Sequence, residues 1–404
     1  MNKTILFALL LFSSTLVAQS WVALSAPPFG KHHPISFSLN GKGYAVTGTS
    51  LNNQFTNDVY EYDPTNDSWA TLSNFPGLAR SFGIGTVANG KAYLGFGANS
   101  TQYLNDFWSF DATTNTWTQL ASCTCAGRRH PAMISDGNRI YIGFGDNNVS
   151  GNLNDWWMYD IATNTWASIS NVPGPDRHHP FMFNAGGEIF AGLGHGFNGS
   201  FGVVYDDWYR LNTTTNTWIA MSDFPGEARV AGTQFGFNGY GFVLSGDGDN
   251  HNFMNTGEMW QYDPNADTWL ELTPHPGRSR WAPGSFIIGT DIYFFTGLDR
   301  FNSTYPADLW KFDLSSATAS MEDEDSNFEN TYVYPNPANG SISWKNDPSI
   351  TDVRVYNSLG QLLMTPIAEE KRMNTSNLKD GFYLFQFYSN SKLVKTSKAI
   401  IQHK

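Results

Sequence analysis

A strand pattern that returns about every fifty residues constrains the fold of this chain more than any other feature. Each copy begins with an acidic residue and continues with large apolar residues, as a largely buried strand requires. The six copies begin at Asp58, Asp106, Asp155, Asp207, Glu258 and Asp308, at spacings of 48, 49, 52, 51 and 50 residues. A period of this length indicates an array of similar units, each packed against the next.

Further strands can be placed on both sides of each copy. The first five copies are each followed by a polar turn and then a tryptophan, at Trp69, Trp117, Trp166, Trp218 and Trp269. Before each of the six copies an apolar strand ends in glycine, at Gly48, Gly97, Gly145, Gly194, Gly246 and Gly297. Glycine there permits a left-handed turn or close backbone packing. Each repeat therefore predicts about four short strands, and no segment has a helical period.

These features resemble the kelch repeat, which forms the four-stranded blades of a β-propeller. The resemblance covers Trp21 to Ser316 and implies an all-β, six-bladed kelch-type propeller over residues 19–316. One feature departs from the family, because only the second of two adjacent glycines remains, as in Thr47-Gly48.

The sixth repeat lacks a tryptophan strand after Asp313, and the start of the chain offers a replacement. Trp21-Val22-Ala23-Leu24 matches the segment from Trp69 to Leu72, and Pro28-Phe29-Gly30 matches Phe75-Pro76-Gly77. We therefore predict that the N-terminal segment supplies the outer strand of the last blade and removes an open sheet edge.

Residues 1–18 have the pattern of a signal peptide. Lys3 is followed by the apolar run Ile5 to Phe12, which is too short to span a bilayer, and by small and polar residues up to Ala18. The alternative is a short buried strand. The signal-peptide interpretation predicts an exported protein.

The last part of the chain predicts a linker and a second domain. Residues 317–330 include the acidic run Glu322 to Asp325 and have no apolar period, which favours a solvated linker. Residues 331–404 contain the motifs Tyr334-Pro335-Asn336-Pro337, Val353-Arg354-Val355-Tyr356-Asn357 and Gly381-Phe382-Tyr383-Leu384-Phe385. Their order is similar to the C-terminal sorting domain of type IX secretion cargo, a small Ig-like β-sandwich.

The resemblance of the tail implies recognition by the type IX secretion machinery, followed by cleavage or anchoring at the cell surface. An ordinary accessory sandwich is the alternative.

The distribution of charge agrees with a division of the chain. Residues 331–404 carry a net charge of +4 and the whole chain carries −12, which leaves −16 for residues 1–330. Such an acidic balance argues against nucleic acid as a partner.

Aligning the repeats puts six basic residues at one position, just before the innermost strand of each blade. They are His32, Arg80, Arg129, His178, Arg229 and Arg280. The residues that follow them are His33, Ser81, His130, His179, Val230 and Trp281. The loops after the strand glycines belong to the same face and add Asp146, His195, Asp247, Asp249 and Asp299, with His251 and His275 in further loops. We therefore expect a basic ring near the propeller axis.

Two interpretations of this ring stay open. In one, it binds an anionic or polyhydroxy glycan by charge-assisted hydrogen bonds, with Trp281 stacked on a sugar. In the other, its arginines are structural, since kelch blades commonly use arginine here to join neighbouring loops. We predict no metal site, because the pairs His32-His33 and His178-His179 belong to opposite blades and meet only if the channel is narrow.

Cys123 and Cys125 stand in a loop where other repeats have Phe-Pro-Gly. Export favours a local disulfide between them, although so small a ring is strained. Kelch-family enzymes include galactose oxidase, which needs copper held by tyrosine and histidine and a tyrosine–cysteine cross-link, and two cysteines in one loop fit it poorly.

The sequence alone favours a secreted or cell-surface binding module for glycan or extracellular protein, with no cofactor. The alternative is a sugar-processing enzyme, similar to the kelch-family sialic acid mutarotase or to galactose oxidase. No catalytic pair can be chosen from spacing alone.

Overall fold

The computed structural model describes residues 20–315, 331–345, 349–357, 362–389 and 392–403. The predicted signal peptide and the predicted linker lie outside these residues, and both stay predictions. Residues 20–315 belong to one compact unit, and the described residues from 331 onward belong to a second. In the described parts of the chain, no helix is long and apolar enough to cross a membrane.

The first unit is built from consecutive four-stranded antiparallel sheets, called blades 1 to 6 in chain order. Strand β1 (Val22–Leu24) belongs to the last blade, and β2 (Lys31–His32) pairs with the end of β4. Blade 1 contains β3 (Ile35–Leu39), β4 (Lys42–Ser50), β5 (Phe55–Asp63) and β6 (Ser68–Thr71). Blade 2 contains β7 (Ile84–Ala88), β8 (Lys91–Gly95), β9 (Phe107–Asp111) and β10 (Thr116–Leu120).

Blades 3 and 4 carry additional short strands in their loops. Blade 3 contains β11 (Ala132–Ser135), β12 (Arg139–Gly143), the hairpin β13 (Asp146–Asn147) and β14 (Gly151–Asn152), β15 (Trp156–Asp160) and β16 (Thr165–Ile169). Strand β17 (Arg177–His178) follows blade 3. Blade 4 contains β18 (Phe181–Ala185), β19 (Glu188–Gly192), the hairpin β20 (His195–Asn198) and β21 (Phe201–Val204), β22 (Trp208–Asn212) and β23 (Thr217–Ala220).

Blades 5 and 6 complete the unit. Blade 5 contains β24 (Thr233–Phe237), β25 (Tyr240–Leu244), the 3-10 helix Asp249–His251, β26 (Gly257–Asp263) and β27 (Thr268–His275). Blade 6 contains β28 (Gly284–Ile288), β29 (Asp291–Phe295), β30 (Leu309–Asp313) and β1. The first strands of successive blades contact one another, and β28 contacts β3, so these strands form a closed ring around an axis.

The N-terminal segment closes this ring, as the sequence predicted. In β1, Val22, Ala23 and Leu24 pair with Lys311, Trp310 and Leu309 of β30. The Trp21 ring packs 5.1 Å from the ring of Phe312, and its indole nitrogen donates to the Thr273 carbonyl at 3.3 Å. The last blade therefore gains its fourth strand from the opposite end of the propeller sequence.

The hydrophobic core lies mainly between neighbouring blades. Tyr62 of blade 1, for example, packs with Phe286 and Phe295 of blade 6. Several strand tryptophans also join blades through a hydrogen bond from the indole nitrogen, as in Trp166 to the Ala121 carbonyl at 2.8 Å. A residue that both packs and donates explains why tryptophan recurs at this position.

The second unit is all-β and agrees with the predicted Ig-like domain. Its strands are β31 (Tyr332–Asn339), β32 (Ser341–Lys345), β33 (Asp352–Asn357), β34 (Leu362–Met364), β35 (Arg372–Asn374), β36 (Gly381–Ser389) and β37 (Lys392–Ile401), with the 3-10 helix Ala368–Glu370 before β35. They pair in the order β34-β33-β36-β37-β31-β32-β35. Val353, Val355 and Trp344 are buried in its core together with Phe385 and Phe387.

Candidate functional site

The loops that enter the innermost strands share a regular pairing at one end of the blades. A residue just before each innermost strand pairs with a residue just after the strand glycine: His32 with Thr49, Ser81 with Ala98, Arg129 with Asp146, His178 with His195, Val230 with Asp247, and Trp281 with Leu298. These pairs identify the equivalent residues of the six repeats. We call His32, Ser81, Arg129, His178, Val230 and Trp281 the second ring position, and the residues before and after them the first and third ring positions.

The first ring position holds a buried cation in every repeat. Its ion pairs are Lys31–Asp58, Arg80–Asp106, Arg128–Asp155, Arg177–Asp207, Arg229–Glu258 and Arg280–Asp308. Each acidic partner is the residue that begins a copy of the repeat. Each cation also donates to the carbonyl just before the strand glycine, as Arg80 Nη1 does to Phe96 at 3.2 Å. These charges are compensated within their own blades, and they tie two loops together.

The alignment made from the sequence is therefore wrong by one residue in half of the repeats. Arg80, Arg229 and Arg280 are equivalent to Lys31, Arg128 and Arg177, and not to His32, Arg129 and His178. Their side chains are buried within ion pairs at the first ring position, which favours the structural interpretation for these three arginines.

The second ring position is less buried and places Arg129 beside Asp146. Arg129 Nη2 lies 2.5 Å from Asp146 Oδ2, and its side chain is 34% exposed. Its guanidinium lies over the ring of Tyr103, 5.1 Å from the centroid. A planar cation held by a carboxylate and an aromatic ring keeps part of its donor fork available to a ligand.

A similar arrangement occurs near Trp281. Arg300 Nε lies 2.5 Å from Asp247 Oδ2, the Arg300 side chain is 31% exposed, and its guanidinium lies 4.5 Å from the centroid of the Trp281 ring. Trp281 also packs edge-on against His33, with centroids 4.4 Å apart. Burial raises the pKa of the Asp247 carboxyl to about 7, against the opposing effects of Arg300 and Ser279.

The third ring position forms a narrow collar around the axis. Its residues are His33, Phe82, His130, His179, Ala231 and Ala282, and all six have a left-handed backbone. Peptide hydrogen bonds connect several of them, such as His179 N to the His130 carbonyl at 3.1 Å and His33 N to the Ala282 carbonyl at 2.9 Å. The collar lines one part of an axial cavity of about 160 Å³.

The collar brings together histidines that the sequence could place only on opposite blades. His33 Nε2 lies 3.0 Å from His179 Nε2, and the rings of His130 and His179 have centroids 3.6 Å apart. The condition for contact between blades 1 and 4 is therefore met, and the absence of a metal site can no longer be argued from the width of the channel.

Seven histidines form one connected group at this end of the propeller. They are His32, His33, His130, His178, His179, His195 and His251, linked by ring contacts with centroid distances from 3.6 to 5.8 Å. Burial lowers the pKa of His32, His178 and His251 to about 4, and burial also lowers the pKa of His33, His130 and His179 well below the usual range. The group is therefore largely neutral at neutral pH, and the histidines do not form the basic ring that the sequence suggested.

His275 does not join this group. It ends strand β27, where it is buried, with its ring stacked 4.3 Å from Phe294 and its Nε2 3.0 Å from Ser245 Oγ. Cys123 and Cys125 form a disulfide in the loop after β10, and both cysteines are buried in the core cluster between blades 2 and 3.

Arg300 and Tyr103 were not singled out from the sequence, although both shape this surface. The sequence contained a reason to include Arg300, because this residue directly follows Asp299 in a loop already assigned to this face. Tyr103 offered none, since its contact with Arg129 depends on how the blade 2 loop folds back.

A ring of four-stranded blades, tied by a buried cation–carboxylate pair in each repeat, defines a kelch-type β-propeller. The Attractin/LZTR1 beta-propeller family model matches residues 43–276, more than half of the chain, and the chain belongs to this family. The second unit matches the Secretion system C-terminal sorting domain over residues 332–402. The chain therefore combines a propeller with a type IX sorting domain.

Shorter similarities point to one group of bacterial proteins. N-acetylneuraminate epimerase of Pasteurella multocida (strain Pm70) is 33% identical over 87 residues, which is 20% of this chain and 23% of that protein. The protein of the same name from Escherichia coli (strain K12) is 33% identical over 86 residues, and the chain again covers only 23% of its length. A solved structure described as "Structure of YjhT" has a TM-score of 0.56 at 18% identity, covering 63% of this chain and 88% of that one, which shows a shared fold.

Proposed function

We propose that the propeller is the carbohydrate-binding domain of a secreted or cell-surface protein. The observation that carries this proposal is the pair of partly exposed arginines, Arg129 and Arg300, each held between a carboxylate and an aromatic ring. Sugars present adjacent hydroxyl groups and weakly apolar ring faces, which suit paired donors and acceptors next to aromatic side chains. The Arg300 guanidinium lies over Trp281 and that of Arg129 over Phe82, and both rings contact His33, which supports the two arginines lying around one recess.

The ligand class is narrowed by the balance of charge. Asp146 and Asp247 compensate the two arginines, so a highly charged polyanion has no strongly cationic surface to bind. A sugar with one carboxylate suits the site better, because each guanidinium group can donate to the sugar carboxylate while it stays paired with its own aspartate. The similarity to N-acetylneuraminate epimerases supports an acidic nine-carbon sugar as the first probe.

The test is a titration of the mature chain with N-acetylneuraminate, with neutral N-acetylmannosamine as the comparison sugar. We expect Arg129→Ala and Arg300→Ala each to weaken binding about tenfold or more, the scale of losing a hydrogen bond to a charged group. Arg210→Ala is a matched control, because Arg210 is also 31% exposed and paired with a carboxylate, that of Glu188, within strand β22. Equal effects of all three variants, or equal binding of both sugars, would contradict the proposal.

Asp247 favours a second candidate function, that of a sugar-processing enzyme such as a mutarotase. Its pKa of about 7, raised by burial, allows a carboxyl group both to give and to take a proton near neutral pH. Asp247 is buried directly beneath Arg300, below the surface proposed to bind the sugar. The same titration followed by NMR distinguishes the functions, since catalysis accelerates exchange between the two anomers and Asp247→Asn abolishes the acceleration.

A further inference from the structure

Three collar histidines that line the axial cavity bring ring nitrogens close together. His33, His130 and His179 each offer a nitrogen, and these nitrogens all lie within 4.8 Å of one another. The separation of 3.0 Å between His33 Nε2 and His179 Nε2 is near the roughly 3.3 Å expected for two ligands of a tetrahedral ion with metal–nitrogen bonds of about 2.0–2.1 Å.

Two nitrogens of this trio are buried without a hydrogen-bond partner. They are Nε2 of His130 and Nδ1 of His179, and both side chains are only 8% exposed. A buried polar atom without a partner carries a cost in free energy, which a bound group would remove. The unsatisfied Nε2 of His130 is thus a second indication of a ligand, separate from the spacing of the rings. Nδ1 of His179 does not count toward the same ion, because its lone pair diverges from that of the Nε2 that approaches His33.

The surroundings of His130 determine which of its two ring nitrogens is free to bind a ligand. Its Nδ1 lies 3.0 Å from Asp146 Oδ1, so the carboxylate accepts the Nδ1 proton and leaves the Nε2 lone pair free. Arg129 holds the other oxygen of Asp146 in place. A carboxylate behind a histidine is the usual support of a metal-bound imidazole, because it fixes the tautomer and the ring orientation.

The backbone that carries the trio is also constrained. Each of the three histidines has a left-handed backbone and is followed by a proline, at Pro34, Pro131 and Pro180. The innermost strands β3, β11 and β18 begin immediately afterwards. The ligands therefore stand on the rigid inner ring of the propeller and not on its outer loops.

We propose that His33, His130 and His179 bind one divalent transition-metal ion, for which Zn²⁺ is the representative, with a fourth position open to water or an external ligand. Three neutral imidazoles suit zinc, copper, nickel or cobalt, whereas calcium and magnesium prefer oxygen ligands. The proposal does not depend on the proposed carbohydrate function.

A neighbouring trio provides the strictest alternative. His178, His195 and His251 also place their ligand nitrogens within 4.8 Å of one another. Nδ1 of His195 and Nδ1 of His251 are also buried without a hydrogen-bond partner. The two trios differ in their support, because His195 and His251 belong to the loop strand β20 and the three-residue helix, and the partner of His178 Nδ1 is the neutral Asn152 side chain at 2.8 Å. Variants of the two trios therefore serve as controls for each other.

The experiment is calorimetric titration of the untagged mature chain, stripped with a chelator, with ZnCl₂ and with CaCl₂. We expect saturable binding of one Zn²⁺ per chain, and no binding of Ca²⁺. Loss of a group that supports a metal ligand typically weakens metal binding roughly 10- to 100-fold, and Asp146→Asn should weaken zinc binding by an amount in that range. His130→Gln and His179→Gln remove a ligand itself and should weaken zinc binding by more. His251→Gln should leave zinc binding unchanged.

Melting curves recorded in chelator identify any variant that does not fold, and Co²⁺ absorption of the wild-type chain gives a measurement that needs no variant. An intense visible band typical of four-coordinate cobalt supports the site. No zinc binding by the wild-type chain, or a loss of binding in His251→Gln but not in His130→Gln, overturns the proposal.

Discussion

Adjacent basic residues in the same loops have opposite roles. Arg128 is fully buried and paired with Asp155, whereas Arg129 is 34% exposed and paired with Asp146 at the rim of the collar. Doublets such as Arg128-Arg129 and Arg177-His178 are the reason the sequence alignment slipped by one residue, because two positions in the same loop both carry basic side chains. The acid that begins each copy of the repeat resolves the ambiguity, since each such acid pairs with one buried cation.

We predict that Arg128→Ala lowers the free energy of unfolding of the propeller by about 3 kcal/mol, the lower end for a broken buried ion pair. The lower end applies because the Asp155 carboxylate left behind is 38% exposed and gains some hydration. Arg129→Ala should cost less, about 1–2 kcal/mol, because Arg129 is itself partly exposed and the Asp146 carboxylate, 13% exposed, keeps its contact with His130 Nδ1. Urea unfolding followed by tryptophan fluorescence checks both values, and equal losses would show that burial does not separate the two arginines.

At the level of strands, the sequence predicted the blades well and their loops poorly. Large apolar residues and a tryptophan mark the third and fourth strands of a repeat, and burial of those side chains forces the strand structure. The hairpins β13–β14 and β20–β21 have no such mark, because they are short and their buried residues include polar ones such as Asp146, Asn147 and His195.

We predict that deleting residues 19–30 lowers the melting temperature of the propeller by several degrees or more. The deletion removes β1, exposes the edge of β30, and takes the Trp21 ring away from Phe312. Differential scanning calorimetry measures the change, with a chain shortened at its other end, after Ser316, as the comparison. An unchanged melting temperature in the chain without β1 would mean that closure adds nothing to stability.

Over the whole molecule, the period of the repeat was sufficient to predict a propeller, but the width of its axial channel was not available from the sequence. That width depends on how six innermost strands pack, and it decides whether His33 and His179 touch. The division into residues 1–18, 19–316, 317–330 and 331–404 remains a prediction, since the proposed signal peptide and linker lie outside the described residues. This division of the chain implies that the two folded units have separate functions.

We predict that the C-terminal domain directs secretion and that the propeller folds without it. Residues 20–315 contain complete blades and their own core clusters, and the described residues from 331 onward have a separate core around Trp344 and Phe385. Expressed in a host with type IX secretion, a chain ending at Ser316 should therefore fold, bind the same ligands and stay in the periplasm, while the full chain reaches the cell surface or the medium. Cell fractionation and immunoblotting locate each chain, and a melting curve of the purified short chain tests its folding. Adding residues 331–404 to an unrelated periplasmic protein should export that protein, because recognition belongs to the tail alone. If the short chain is exported as well as the full chain, the sorting role of the tail is wrong.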